Sequence, residues 1–216
     1  MIYLSPTSQI PNDTDYGIMF SANHPIGGQQ DAIESGVKWM MDNNNFTGDF
    51  TPVKWFDWLA KYREFTGNCL GIPVPDKVGD CLETLRLFGS YHQIIRDNGY
   101  PVAFVSQDGL TPMLTPWDYF DTLFIGGSDD HKLGSEAALL IAEAKGRGKW
   151  VHVGRVNSES RIRQFWMVDS CDGSGLIRDA GQTRIERFNE YTRGIHYARN
   201  RKAGWIGASD QYAMAI

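Results

Sequence analysis

Apolar residues along the chain fall into short runs, each bounded by turn residues and most of them followed by a longer stretch with helical spacing. Short β-branched and aromatic runs are strand signals, whereas apolar positions recurring three and four residues apart are helix signals. Strands are predicted near Ile2–Leu4, Gly17–Phe20, Val37–Met41, Cys69–Pro73, Val102–Ser106, Thr122–Ile125, Trp150–Val153 and Trp166–Ser170. Between them lie Pro52–Phe65, opened by proline; Asp80–Asn98, stopped by Gly99; Ser135–Arg147, capped by Ser135; a short Ser158–Phe165; and Asp179–Arg193, stopped by Gly194. The first two connections are helix-poor. Strands alternating with helices imply a parallel sheet, and eight of them predict a compact α/β barrel of the (β/α)8 TIM type.

Length and composition fit that picture. The 216 residues, 42% hydrophobic and 12% aromatic, suit one packed domain spanning the whole chain. No apolar run approaches the roughly 20 residues that cross a bilayer, and "MIYLSPTSQIPNDTDYG" lacks the basic start and apolar stretch of a signal peptide. A cytoplasmic protein without a membrane partner is expected. Cys69, Cys81 and Cys171 are widely spread, without CxxC spacing, and are expected as reduced thiols. His24, His131 and His152 show no HxH or HxxxH spacing, so neither a metal nor another cofactor is expected.

Charge is unevenly spread. The net charge is −5, but Arg178, Arg184, Arg187, Arg193, Arg199, Arg201 and Lys202 face only Asp179, Glu186 and Glu190 across residues 178–202. That helical segment carries +4 and Asp210 is the one charge after it, leaving −8 on residues 1–177. It reads either as a solvated helix face or as a local phosphate-binding face on an acidic body. In the second reading Arg178, Arg184, Arg187 and Arg193 are the candidate phosphate contacts.

In a parallel barrel, chemistry sits at the C-terminal ends of the strands. The predicted strands place Asp42, Asp76, Gln107, Gly126 and Gly127, His152 and Gly154, and Asp169 and Asp172 there. A guanine edge offers N1–H and an amine as donors, which a carboxylate can accept, and O6, which an amide or a main-chain N–H can satisfy. Asp76, Gln107 and the bare backbone at Gly126–Gly127 supply those groups, and Phe46 could stack on the base. Asp42 and Asp172 then remain for the bond to sugar. One carboxylate would attack the anomeric carbon while the other manages the leaving group's proton.

The segments "WMMDNNNF", "VPDKVGD", "VSQDG", "FIGGS", "KWVHVGRVNS" and "DSCDG", in this order, resemble the tRNA-guanine transglycosylase superfamily. They are most similar to its short phage and bacterial branch, the deazapurine DNA transglycosylases. The likeness covers roughly residues 37–177. It implies Asp172 as nucleophile, Asp42 as general acid/base, Phe46 as the stacking aromatic, Asp76 and Gln107 as readers of the guanine edge, and Gly126–Gly127 as backbone donors. Val153 and Gly154 fall on the floor of the pocket, and Asp169 on the structural aspartate of its motif. The chain departs from the tRNA enzymes in lacking their Cys-x-Cys-x-x-Cys…His zinc site, in being much shorter, and in placing Asn43, Asn44 and Asn45 where small residues are usual. The resemblance therefore implies replacement of guanine in DNA by a 7-deazaguanine. Two alternatives stand beside it: a tRNA-acting or base-hydrolysing relative, and a non-catalytic nucleic-acid-binding subunit. A second copy of the chain or a partner subunit is compatible with each.

Overall fold

The computed structural model describes residues 1–216 apart from 7–8, 12, 22–27, 44–50, 177–182 and 214–216, with side chains in the last helix as far as Trp205. Eight strands, β1 (Ile2–Ser5), β2 (Tyr16–Ser21), β3 (Trp39–Asp42), β4 (Ile72–Pro73), β5 (Val102–Ser106), β6 (Thr122–Ile125), β7 (Trp150–Val153) and β8 (Ser170–Asp172), form one sheet in the order β3-β2-β1-β8-β7-β6-β5-β4. Every pairing is parallel. The ring comes together between β3 and β4 through a single bridge, Trp39 to Cys69, where the Leu70 N–H donates to the Trp39 carbonyl at 2.9 Å. The chain is thus a nearly closed α/β barrel of the TIM-like kind, a single domain with helices interleaved between strands.

Alternation along the strands creates two cores. Outward-facing residues such as Tyr3, Ile18, Phe20, Trp39, Phe104, Leu123 and Val151 belong to the large cluster beneath the helices. The opposite face sends Leu4, Met19, Met40, Leu70 and Ala103 inward, with Ile2, Phe124 and Trp150 packed against them. That inner plug fills the barrel toward its N-terminal end.

The helices are α1 (Gln29–Glu34), α2 (Pro52–Lys61), α3 (Cys81–Asp97), α4 (Asp129–Leu133), α5 (Ser135–Gly146), α6 (Glu159–Gln164) and α7 (Arg184–Ala213). Side-chain caps start three of them: Asp80 accepts from the Glu83 N–H, Ser128 from His131 and Ser158 from Arg161. Proline opens α2, as expected. No helix among the described residues is long and apolar enough to cross a membrane.

Several boundaries differ from expectation for physical reasons. Residues 166–168 form a turn after α6, and β8 begins only at Ser170. The apolar Trp166–Val168 run packs outside the barrel instead of joining the ladder. Asp169 consequently precedes β8, at the end of the barrel opposite Asp172. Gly194 does not stop α7, which continues for 30 residues in all. A Cβ at Gly194 would sit 3.1 Å from the Ile162 side chain and 3.3 Å from Glu159, so this glycine lets α7 press against α6. Ser135 is the first helical residue of α5, whose cap is Gly134. The helix predicted to reach Phe65 ends at Lys61 and is followed by a 3-10 stretch, Arg63–Asn68. A short helix, α1, fills one of the connections read as helix-poor.

Candidate active site

The C-terminal mouth of the barrel holds a cavity lined by Asp42, Asn43, Pro73, Asp76, Val78, Val105, Gln107, Phe124, Gly126, Gly127, Lys132, Gly154, Arg155 and Asp172. Seven of the residues singled out from the sequence meet here: Asp42, Asp76, Gln107, Gly126, Gly127, Gly154 and Asp172. Inward register explains the convergence, because Asp42, Gly126, Gly154 and Asp172 continue the inner-facing rows of β3, β6, β7 and β8 above the apolar plug.

On one side the polar groups are locked together. Asp76, only 7% exposed, accepts from Gln107 Nε2 at 2.5 Å and from Asn43 Nδ2 at 2.8 Å. Gln107 is oriented in turn by the Gly79 N–H, which donates to its Oε1 at 2.9 Å, and Asn43 also donates to the Val74 carbonyl at 2.9 Å. Burial pushes the Asp76 carboxyl above its ordinary value, and the two amide donors offset part of that rise. A carboxylate offers about four acceptor positions, so two bracing amides do not exhaust it.

Gly126 and Gly127 serve this side in different ways. A Cβ at Gly126 would lie 2.8 Å from Val105 and 3.1 Å from Gln107 Nε2, so a side chain there would displace the reader itself. Its N–H donates to the Ser106 carbonyl at 3.2 Å, which corrects its assignment as a donor into the cavity. Gly127 has a φ of 77°, in the left-handed region that favours glycine.

Across the cavity, Asp172 Oδ1 meets His152 Nε2 at 2.9 Å. His152 is fully buried inside the barrel, its ring beside Phe124, and its Nδ1 lies 2.9 Å from Ser170 Oγ. Ser170 Oγ also accepts from Trp150 Nε1 at 2.8 Å. Lys132, 4% exposed, reaches the Gly154 carbonyl at 3.4 Å and pairs with Asp129 at 3.1 Å, and burial lowers its ammonium pKa. Arg155 is the one non-glycine residue with positive φ among those described, at 60°, and donates to the Gly127 carbonyl at 3.4 Å. A second cavity, lined by Pro6, Met19, Phe20, Ser21, Gly173 and Ser174, adjoins the first and shares Asp42, Arg155 and Asp172 with it.

Other sequence-derived residues fall elsewhere. Val153 faces the outer cluster, fully buried, and does not line the cavity, because register turns its neighbours His152 and Gly154 inward instead. Phe46 and Arg178 lie outside the described residues. Arg187 is 5% exposed and donates to the Gly175 carbonyl at 2.5 Å, so it is a buried brace and not a phosphate contact. Arg184 donates to Gln9, and Arg193 pairs with Glu159 at 3.1 Å. Lower on α7, Arg199 pairs with Asp15, and Lys202 with Asp169 at 2.6 Å. The basic segment is therefore largely occupied in fastening α7 to the barrel. Asp169 also accepts from Lys145 and from the Val151 N–H, in keeping with a structural role.

Asn43, Lys132 and Arg155 escaped the sequence reading as cavity residues, and His152 was placed at a strand end and discounted as a metal ligand, with no role in the site. Parity along β7 and β8 was the available signal for His152, since residues 150, 152 and 154 share a face with 170 and 172 once β8 is placed correctly.

No protein-family profile matches the chain, and no curated protein does. Among solved structures it is similar to a chain described as a "cube-shaped, highly porous protein cage designed by fusing symmetric oligomeric domains", with 12% identity and a TM-score of 0.47 over 99% of this chain and 78% of that one. A likeness at that level carries no argument about function.

Proposed function

We propose that the protein is a base-exchange glycosyltransferase that replaces guanine in DNA with a 7-deazaguanine. One observation carries this reading: Asp42 and Asp172 stand where two adjoining cavities meet, and the first cavity ends in a buried, amide-braced carboxylate. A nucleoside laid across that junction has its base in the first cavity, its sugar in the second, and the glycosidic bond between the two aspartates.

In the base cavity, Asp76 accepts guanine N1–H and the exocyclic amine, while Gln107 Nε2 and the Gly127 N–H donate to O6. Asp172 Oδ2 attacks C1′, the C1′–N9 bond breaks with its electron pair going to the base, and Asp42 supplies the proton that guanine carries away. N9 of the incoming deazaguanine then attacks C1′, breaking the ester to Asp172, and returns a proton to Asp42. The target base must leave its stack to reach the barrel mouth, at a cost of a few kcal/mol. Arg155, between the cavities, is the candidate phosphate contact in place of the α7 arginines.

The test is release of labelled guanine from DNA or tRNA, with and without a 7-deazaguanine. Release from DNA that depends on the deazapurine, and falls by at least about a thousandfold in Asp172→Asn, is expected. Release from tRNA alone or without deazapurine would replace this reading with its relatives. No release from either by folded protein would favour a binding subunit.

A further inference from the structure

A column of hydrogen-bonded groups, Trp150–Ser170–His152–Asp172, half-buried at its ends and fully buried between them, runs up the inside of the barrel, through the apolar plug, to the cavity floor. Ser170 and His152 are both 0% exposed. A polar chain in such a place is costly unless every member is satisfied. For an ionised Asp172 and a neutral His152, the two ends set the direction of each hydrogen bond in the column. Trp150 Nε1 can only donate, and an ionised Asp172 can only accept. A neutral His152 must then carry its proton on Nε2, leaving Nδ1 as the acceptor of the Ser170 hydroxyl proton. Indole N–H gives to Ser170 Oγ, Oγ–H to Nδ1, and Nε2–H to Asp172 Oδ1, so each proton has one acceptor.

We propose that His152 is a positioning residue, held as the Nε2–H tautomer by this column, that clamps Oδ1 of Asp172 and so turns Oδ2 toward the cavity. The catalytic part of the proposal rests on the base-exchange reading. The geometry has a simple consequence for a nucleophile: one oxygen is tied to a rigid ring and the other is presented. The side chain of Asp172 retains 19% exposure, against none for His152. Losing the clamp frees rotation of the carboxylate, and misplacement by about 1 Å costs on the order of a hundredfold in rate.

The experiment has two arms. Ring-nitrogen NMR of the full-length, substrate-free protein at neutral pH is expected to show His152 as the Nε2–H tautomer; an Nδ1–H or doubly protonated ring overturns the column. In the exchange assay, His152→Phe is expected to lower kcat about a hundredfold with KM within about threefold, and His152→Gln, which keeps an N–H donor at similar reach, to recover most of the loss. Equal loss in both variants, with thermal stability unchanged, overturns the positioning role. Should the phenylalanine variant not fold, wild-type kcat in His152→Gln still supports the clamp, and a hundredfold loss in it counts against. The NMR arm needs no substrate, so absence of exchange in the wild-type chain sinks the base-exchange reading separately from the column.

Discussion

At the scale of single residues, Asp76 is the most informative group, because its environment couples recognition to protonation. Burial raises its carboxyl above the ordinary value of 3.8, although Asn43 and Gln107 offset part of the shift. A raised folded pKa means that this group stabilises the fold fully below about 3.8, and that the contribution is lost as pH rises through the higher folded value. Asp76→Asn is therefore expected to gain stability relative to wild type as pH increases through that window, which denaturant melts at a series of pH values would measure. Guanine affinity has the opposite sense. Only the ionised form accepts both base donors, so binding is expected to weaken on acidification while pH is still above the usual carboxylate range. Titration calorimetry that finds the fall-off at or below 3.8 would contradict this. Much of this site was legible in the sequence, since carboxylates, an amide and glycines at strand ends have few other reasons to recur in such order. Asn43 was not: it stood out only as a departure from an expected small residue, and its part in bracing Asp76 depends on a contact 33 residues away in the chain.

At the scale of elements, α7 is held by its charges. Asp169 gathers Lys145 from α5, the Val151 N–H of β7 and Lys202 from α7. Burial pushes its carboxyl up, but the two ammonium groups prevail and hold it below the usual range. A depressed folded pKa gives stability that is present above 3.8 and lost as pH falls through the lower folded value. Asp169→Asn is expected to cost about 3 kcal/mol at neutral pH, because it strands two half-buried lysines, and to cost progressively less in acid. Equilibrium unfolding would check both, and a loss under about 0.5 kcal/mol would mean the cluster behaves as a surface pair. The eight-strand barrel itself was readable from periodicity. Two elements were misplaced because local signals were outvoted by tertiary contacts: aromatic Trp166 mimicked a strand start, and Gly194 mimicked a helix stop while in fact serving a helix crossing.

At the scale of the molecule, the charge pattern has a different meaning from the one composition suggests. A stretch of +4 on a chain of −5 invites a phosphate-binding face, yet Arg187, Arg193, Arg199 and Lys202 all have partners within the protein. On the proposed reading, binding of a polyanion would then rest on few contacts near the mouth. Arg155→Gln is expected to weaken DNA binding and to reduce the slope of log affinity against log salt by about one phosphate contact, whereas Arg193→Gln is expected to leave the slope unchanged. Salt titrations by anisotropy would separate the two, and the reverse ranking would return the interface to α7. The incomplete join between β3 and β4 bears on all of this. Among the described residues one main-chain bridge spans it, with Asp42 on one bank and Asp76 just beyond the other, and the Asn43 side chain crosses between them to Val74 and Asp76. In mechanical terms the barrel is a hoop with a clasp, and the clasp is made of the same side chains that would grip the base in the proposed reaction. On the proposed reading a purine seated there would fasten the hoop, so that occupancy of the cavity and rigidity of the whole ring would become one variable.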